Sequence, residues 1–209
     1  MSRVFFFLLP ILMLSCSDTE TIEVKNDAGV ITEVYTRSKK DFAKEGIYKA
    51  FDEEGRLIEE ATYKNDTLNG LRKIFFENGN VEAEEVYVGG VFEGKYKGFY
   101  ENGKPELEGN YVKNEMVGVW KRFYPTGQLM EEVMFSENDE NGPFIEYHEN
   151  GKLKAEGNYK EGDNEDGELK LYDEMGVLER KMDCTVGRCV TTWRSEVLIK
   201  KEAQENKTE

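Results

Sequence analysis

Residues 94–118 read GKYKGFYENGKPELEGNYVKNEMVG, and the glycine that opens this stretch returns 24 residues later at its end. Glycines in this phase run from Gly46 to Gly167, with steps of 24, 24, 24, 24 and 25 residues. A second series follows nine residues behind the first: Gly55, Gly79, Gly103, Gly127, Gly151 and Gly176. Aromatic and aliphatic positions keep the same phase, so residues 46–183 form six repeats of about two dozen residues.

Each repeat contains two short segments rich in aromatic and β-branched residues, separated by polar, glycine-containing turns. The sequence therefore predicts an all-β fold: an elongated antiparallel β-meander of six hairpin repeats, with capping strands at both ends. Both a flat and a coiled ribbon are compatible with this pattern. The segments outside the repeats are predicted as a linker at 16–23, a degenerate N-terminal cap at 24–45, a C-terminal cap at 184–199 and a disordered tail at 200–209.

The inner turn of each repeat allows two registers. A two-residue turn needs positive φ at both positions, which Thr126 would resist, whereas a three-residue loop needs it only at the glycine. We therefore predict the three-residue loop, with the recurrent aromatic, leucine and tyrosine side chains on one face. This choice rejects a rival register that opposes lysine to glutamate, as in Lys49–Glu60 and Lys121–Glu132. It predicts the pairs Phe99–Pro105, Phe123–Leu129 and Tyr147–Leu153.

The N-terminus has the pattern of an export signal. Arg3 precedes an eleven-residue apolar run at 4–14, which is too short for a bilayer span of about 20 residues. The following MLSC at 13–16 resembles a bacterial lipobox. We predict a signal peptide over 1–15 and lipid attachment at Cys16. This places the chain in the bacterial cell envelope, lipid-anchored at the outer membrane, with the surface and periplasmic sides both open.

Two cysteines remain after Cys16 is assigned to the anchor. Cys184 and Cys189 flank Gly187, which suits a turn, and disulfides persist in exported proteins. A disulfide across a hairpin is the prediction. Two free thiols or half of a metal site are the alternatives.

Composition excludes several functional classes. A net charge of −15 lacks the basic footprint of nucleic-acid binders, and His148 alone cannot form a multi-histidine zinc site. Carboxylate pairs such as Glu59–Glu60 are too abundant among 43 acidic residues to mark catalysis. The acidic turns at 136–142 and 162–167 do not match an EF-hand loop. We predict no enzyme activity, no metal and no cofactor.

An aromatic stripe is the one candidate binding surface. Its functional interpretation is a flat face for a protein strand, a glycan or an envelope polymer, and its structural interpretation is packing between repeats. The acidic surroundings favour basic or neutral partners. The stripe consists of Tyr48, Phe76, Tyr96, Tyr100, Trp120, Tyr124, Phe144 and His148.

Residues 101–111 (ENGKPELEGNY) and 149–159 (ENGKLKAEGNY) resemble the MORN repeat variant, and the resemblance extends over 46–183 in six units. Bacterial proteins of this pattern are often labelled YwqK-type antitoxins, and MORN repeats serve elsewhere as interaction and membrane-tethering modules. The resemblance implies no catalytic residues. The expected function is a lipid-anchored scaffold that binds an unknown protein partner. The alternatives are an antitoxin-like protein that neutralises a secreted or surface toxin, and an envelope glycan-binding protein.

Overall fold

A computed structural model describes residues 18–205, and every strand in this range belongs to one antiparallel sheet. The sixteen strands are β1 (Thr19–Lys25), β2 (Ile31–Ser38), β3 (Lys44–Phe51), β4 (Leu57–Lys64), β5 (Thr67–Phe75), β6 (Val81–Val88), β7 (Val91–Phe92), β8 (Gly94–Phe99), β9 (Pro105–Val112), β10 (Glu115–Phe123), β11 (Leu129–Ser136), β12 (Asp139–Tyr147), β13 (Leu153–Tyr159), β14 (Gly167–Tyr172), β15 (Leu178–Thr185) and β16 (Arg188–Arg194). One helix, α1 (Glu196–Glu205), follows them in the described range.

The strands lie in the sheet in the order in which they occur in the chain. Only β7 leaves this path, because it pairs with the end of β6 alone. Within residues 18–205, extensive contacts between elements join only strands that are neighbours in the sheet, so no second layer covers it. The predicted all-β meander is confirmed.

The outer turns at 65–66, 89–90, 113–114 and 137–138 are two-residue loops, whereas the longer segment 160–166 joins β13 to β14. Asn65 and Asp66 have φ of +50° and +59°, as expected for a turn that matches the twist of its strands. The Asp66 carboxylate accepts a hydrogen bond of 2.7 Å from the backbone N–H of Lys44, one repeat earlier. The same contact joins Asn114 to the N–H of Phe92 and Asn138 to the N–H of Met116.

The inner turns combine the two registers that the sequence presents as alternatives. Gly127, at φ +90°, closes a three-residue loop, and Phe123 lies opposite Leu129 as predicted. One residue further, a β-bulge shifts the register, and Lys121 lies opposite Glu132. The prediction that the recurrent aromatic, leucine and tyrosine residues share one face was wrong, because a one-residue shift reverses the side to which the strand's side chains point.

One face of the sheet, which we call the lysine–glutamate face, carries a row of alternating charges that crosses eight strands. Its pairs include Lys49–Glu60 at 3.1 Å and Lys121–Glu132 at 2.7 Å. Surface pairs of this kind contribute at most about 1 kcal/mol each, so their main effect is to keep this face solvated. The row consists of Lys49, Glu60, Lys73, Glu84, Lys97, Glu108, Lys121 and Glu132.

The opposite face, which we call the aromatic face, contains the most deeply buried side chains of the residues that the structure describes. Trp120 and Phe144 are each 2% exposed, and Val133 lies between them in the register. Because no layer covers them, these side chains exclude water by packing on one another along the sheet. Strand alternation explains the difference between the two faces, since Trp120 and Lys121 are consecutive residues.

The N-terminal boundary differs from the prediction. The segment 16–23 was expected to be a linker, but β1 starts at Thr19 and pairs along its length with β2. The alternating residues of β1 allow this pairing, and it gives the backbone of the first repeat strand, β3, a neighbouring hairpin. The segment 24–45 therefore contains the turn of this leading hairpin and its second strand.

The prediction for the C-terminal tail was also wrong. Residues 200–209 were expected to be disordered, but α1 extends to residue 205. The hydroxyl of Ser195 caps the helix by accepting a hydrogen bond from the N–H of Leu198, whose side chain is buried. Glu202 forms ion pairs of 3.0 Å with Arg180 and Arg194, which attach the helix to the last two strands.

The last hairpin carries the predicted disulfide. Cys184 and Cys189 face each other across β15 and β16, and their sulfur atoms are bonded at 2.02 Å. Cys184 is 3% exposed and belongs to the same apolar cluster as Phe144. The segment 184–199 thus closes the sheet with a cross-linked strand followed by the start of α1.

The predicted signal peptide at 1–15 and the lipid-attachment residue Cys16 lie outside the described residues. Within the described range, no helix has the length and apolar character that a membrane span requires.

Candidate functional site

The predicted aromatic stripe divides into two groups in the structure. Tyr48, Tyr96, Trp120 and Phe144 lie on the aromatic face, and the last two are almost fully buried. The Trp120 ring lies 5.7 Å from that of Tyr96, centroid to centroid. At Trp120 and Phe144 the stripe is therefore packing between strands, and these two side chains are not available to a ligand.

The other four members of the stripe lie at the inner turns. The Tyr100 hydroxyl donates a hydrogen bond of 2.6 Å to the carbonyl of Phe123 in the next hairpin. The Tyr124 hydroxyl donates to the carbonyl of Tyr147 at 2.9 Å. His148 continues the series through Nε2, 3.1 Å from the carbonyl of Tyr172, and Phe76 occupies the first position without a polar atom. These side chains connect successive turns.

A groove of about 570 Å³ opens on the aromatic face between these two groups. It lies where Ala83 and Gly98 pair directly, between the larger Ile74 and Leu107 in the same row. Because these two small residues are neighbours across the strands, they leave an open space, and the hydroxyl of Tyr96 borders it. The groove is lined by Ile74, Phe76, Glu82, Ala83, Glu85, Tyr96, Gly98, Phe99, Glu106, Leu107 and Arg122.

The charges of the groove are predominantly negative. Glu82 and Glu106 are exposed at its rim, whereas Glu85 pairs with Arg72 at 2.9 Å. Arg122 is the one cation in its lining. The surface therefore combines an apolar floor with an excess of carboxylates, a combination that suits a basic, partly apolar ligand.

The groove was not predicted from the sequence, because only the repeated glycines were considered, and they were interpreted as turn residues. Gly98 and Gly109 belong to neither glycine series, and both lie inside strands. Glycine within a strand often marks a close approach of another group. A glycine outside both repeated series was therefore the sequence feature that could have indicated the groove.

Beside the groove, two carboxylates face each other across neighbouring strands. Glu131 and Glu146 pair directly, with side chains only 19% and 24% exposed. Lys154 contacts Glu146 at 2.6 Å, whereas Arg122 is 4.0 Å from Glu131. Burial raises the pKa of Glu131, and the nearby Glu146 adds to the shift. Burial also raises the pKa of Glu140 on β12.

We expect Glu131→Gln to stabilise the protein by about 1 kcal/mol at pH 7, because like charges directly opposite in a sheet are destabilising. A carboxyl whose pKa is raised by folding binds protons more tightly in the folded state, so stability is lost as the pH rises through that pKa. The gain from glutamine should therefore shrink as the pH falls towards about 4, the normal carboxyl range. Urea unfolding at several pH values measures it.

The matched control for this prediction is Glu132→Gln, which lies on the next residue but on the lysine–glutamate face. It removes the ion pair with Lys121, so no gain is expected at pH 7. Equal effects of both variants, or a gain at position 131 that does not change with pH, would contradict the assignment.

No cluster of three or more histidine, cysteine, aspartate or glutamate side chains in residues 18–205 is arranged to hold a metal ion. In the acidic turn at 136–142, the side chain of Asn138 caps the neighbouring hairpin instead. In the turn at 162–167, Asn164 donates to the carbonyl of Glu161.

Comparison with known families assigns the repeats to one family. The family described as MORN repeat variant matches five segments that together make up just over half of the chain: residues 44–65, 68–88, 92–113, 116–137 and 140–161. The chain belongs to the MORN repeat variant family. This family is generally non-catalytic, and MORN repeats often mediate protein or membrane interactions. No curated protein matches the sequence.

Each MORN segment begins near the start of one hairpin and ends at the end of its second strand or in the outer turn that follows. The sixth hairpin, β14–β15, lies outside the matched segments although it continues the sheet. Lys181 and Cys184 occupy the positions where other MORN units carry glutamate and an aromatic residue. The last repeat is thus degenerate in sequence and regular in structure.

Proposed function

We propose that this MORN repeat protein is a non-catalytic scaffold that binds a partner protein through the groove on its aromatic face. The observation that carries the proposal is the groove itself: an apolar floor formed by small and aliphatic side chains, with carboxylates at the rim. It is open because a single-layered sheet has nothing packed over this region in residues 18–205. The family assignment supports an interaction role.

The partner we propose presents a basic segment. A net charge of −15 attracts cationic surfaces, and Glu82 and Glu106 are positioned to receive lysine or arginine side chains. Aliphatic side chains of the same segment would fill the space above Ala83 and Gly98. Charge guides the encounter, and the apolar contact provides affinity.

We also propose that the protein acts in the bacterial cell envelope, at the outer membrane, held by a lipid on Cys16. The sequence at 1–16 supports this location, and the disulfide between Cys184 and Cys189 is compatible with an oxidising compartment. Mass spectrometry of the N-terminus tests the anchor, because a chain that begins at a lipidated Cys16 has a mass distinct from that of the unprocessed chain. An unprocessed or unlipidated chain would reject it.

The binding test uses the full chain with a C-terminal affinity tag, purified in mild detergent and incubated with envelope extract. Gly98→Leu fills the groove from within the strand. Lys97→Leu introduces the same side chain on the preceding residue, which faces the other side of the sheet. A partner is expected to bind wild type and Lys97→Leu, and to bind Gly98→Leu at least tenfold less.

Each outcome of this test separates the proposals. A retained toxic protein, neutralised on binding, would favour the antitoxin-like role, and a retained polysaccharide would favour glycan binding. A protein that binds wild type, Lys97→Leu and Gly98→Leu equally well would show that the groove is not the binding site. Hydrolytic activity in the purified chain, together with no groove-dependent protein, would reject the scaffold function.

A further inference from the structure

Three tyrosines from consecutive strands surround one ammonium group near the N-terminal end of the sheet. Tyr35 on β2, Tyr48 on β3 and Tyr63 on β4 form what we call the tyrosine cage. The Nζ atom of Lys44 lies 4.9, 4.5 and 5.4 Å from their ring centroids, in that order. The Tyr48 and Tyr63 rings meet edge to face at 5.5 Å.

The register of the sheet produces the cage. Tyr35 lies directly opposite Tyr48, and the bulge between β2 and β3 brings Lys44 opposite Arg37 at the start of the strand. From there the Lys44 side chain reaches over the rings. It remains 31% exposed, so the cage opens to solvent on one side.

The contacts of the Lys44 ammonium are mainly with aromatic faces. Its closest carboxylate oxygen belongs to Glu33, at 4.0 Å, and it donates no hydrogen bond to any residue that the structure describes. Burial, with help from Glu33 and Glu59, raises the pKa of Tyr48 to about 12, so its phenol stays neutral. The cage thus holds a positive charge by cation–π attraction and one nearby carboxylate.

We propose that the tyrosine cage is a binding site for a quaternary ammonium group, and that Lys44 is an internal occupant which leaves when the ligand binds. A primary ammonium has three N–H donors, which this environment leaves to solvent. A quaternary ammonium has no N–H donor, so it can make the same aromatic contacts without the water that the Lys44 ammonium needs on the open side. The cage lies in the first hairpins and shares no lining residue with the groove, so this inference is independent of the proposed partner.

The test titrates choline chloride into the wild-type chain and into Lys44→Ala, with tyrosine fluorescence and calorimetry as readouts. Emptying the cage is expected to tighten choline binding at least tenfold. The neutral isostere 3,3-dimethyl-1-butanol should bind neither form, because it lacks the charge. Lys49→Ala is the matched control, since Lys49 lies on the other face and contacts Glu60; it should bind choline as wild type does.

Two further variants keep the test decisive. Lys44→Met retains the length of the side chain without its charge, so it should fold and should also bind choline more tightly than wild type. Adding Tyr48→Leu to Lys44→Ala should weaken choline binding at least tenfold. The proposal would be overturned if neither Lys44 variant binds choline more tightly than wild type does. It would also be overturned if the neutral isostere binds with the same affinity as choline.

The source of the ammonium group is distinguished by vesicles. Phosphatidylcholine vesicles that retain Lys44→Ala, while phosphatidylglycerol vesicles do not, would identify a lipid head group as the ligand. Binding of free choline without retention by either vesicle would identify a soluble cation. Absence of binding in both arms would overturn the site.

Discussion

Alanine in place of Gly109 is expected to lower the free energy of unfolding by about 3 kcal/mol, the upper end of the usual cost of overpacking a core. A Cβ atom at this position would lie 2.1 Å from Cδ2 of Trp120. The indole cannot move aside easily, because it is 2% exposed and its ring is packed against those of Tyr96, Tyr111 and Phe135. Urea unfolding measures the loss, with a fall in melting temperature of about 6–12 °C.

The matched control is Gly98→Ala, so that two strand glycines are compared in one sheet. At Gly98 the nearest atom to the added Cβ is the hydroxyl oxygen of Tyr96 at 3.1 Å, the free end of a side chain that can shift. We expect a loss of at most about 1 kcal/mol, the low end of the cost of overpacking, because the neighbour needs to move by only a few tenths of an ångström. Combining Gly109→Ala with Trp120→Leu should cost less than the sum of the single changes, because the smaller side chain removes the clash. Equal stability of the two alanine variants would show that the contact with Trp120 is not the source of the loss.

The repeats, the strands and the glycines of the inner turns, such as Gly127, could be predicted from the sequence, because turn chemistry and aromatic periodicity are local. The interpretation of the first glycine series as turn residues was wrong: Gly46, Gly70, Gly118 and Gly142 have positive φ but lie inside strands, a few residues beyond the outer turns. The register could not. In the sequence, Phe123–Leu129 and Lys121–Glu132 are exclusive alternatives for a regular hairpin, but a bulge that inserts Met130 satisfies both. A single extra residue in a strand leaves no local signature, and it decides which side chains share a face.

The candidate site was predictable only in part. The aromatic stripe contained residues of the groove and of the tyrosine cage, such as Tyr96 and Tyr48, but also the buried Trp120. Burial depends on the neighbouring strands, and a stripe followed along the chain does not reveal it. Arg72 stands where the other repeats carry aromatic or aliphatic residues, but only the structure places Glu85 beside it. No other repeat carries a charged residue at either position.

Arg72→Leu is the second large effect we expect, a loss of about 2 kcal/mol at pH 7, between the cost of breaking a surface ion pair and that of breaking a buried one. Arg72 donates to Glu59 at 2.7 Å and to Glu85 at 2.9 Å, and all three side chains are less than one-third exposed. The hydrogen bond to Glu59 raises the pKa of the guanidinium, so the charge is fixed. Without it, two poorly solvated carboxylates face each other across β5. Urea unfolding at pH 7 measures the loss.

The control for Arg72 is its neighbour in sequence. Lys73→Leu removes a more exposed ion pair with Glu84 on the lysine–glutamate face, and surface pairs contribute at most about 1 kcal/mol. Replacing Arg72, Glu59 and Glu85 together by leucine should restore much of the stability that Arg72→Leu loses, because no charge is then left unpaired. If the triple variant is instead less stable than Arg72→Leu, the attraction within the triad outweighs its desolvation cost, and unpaired carboxylates are not the origin of the loss in the single variant.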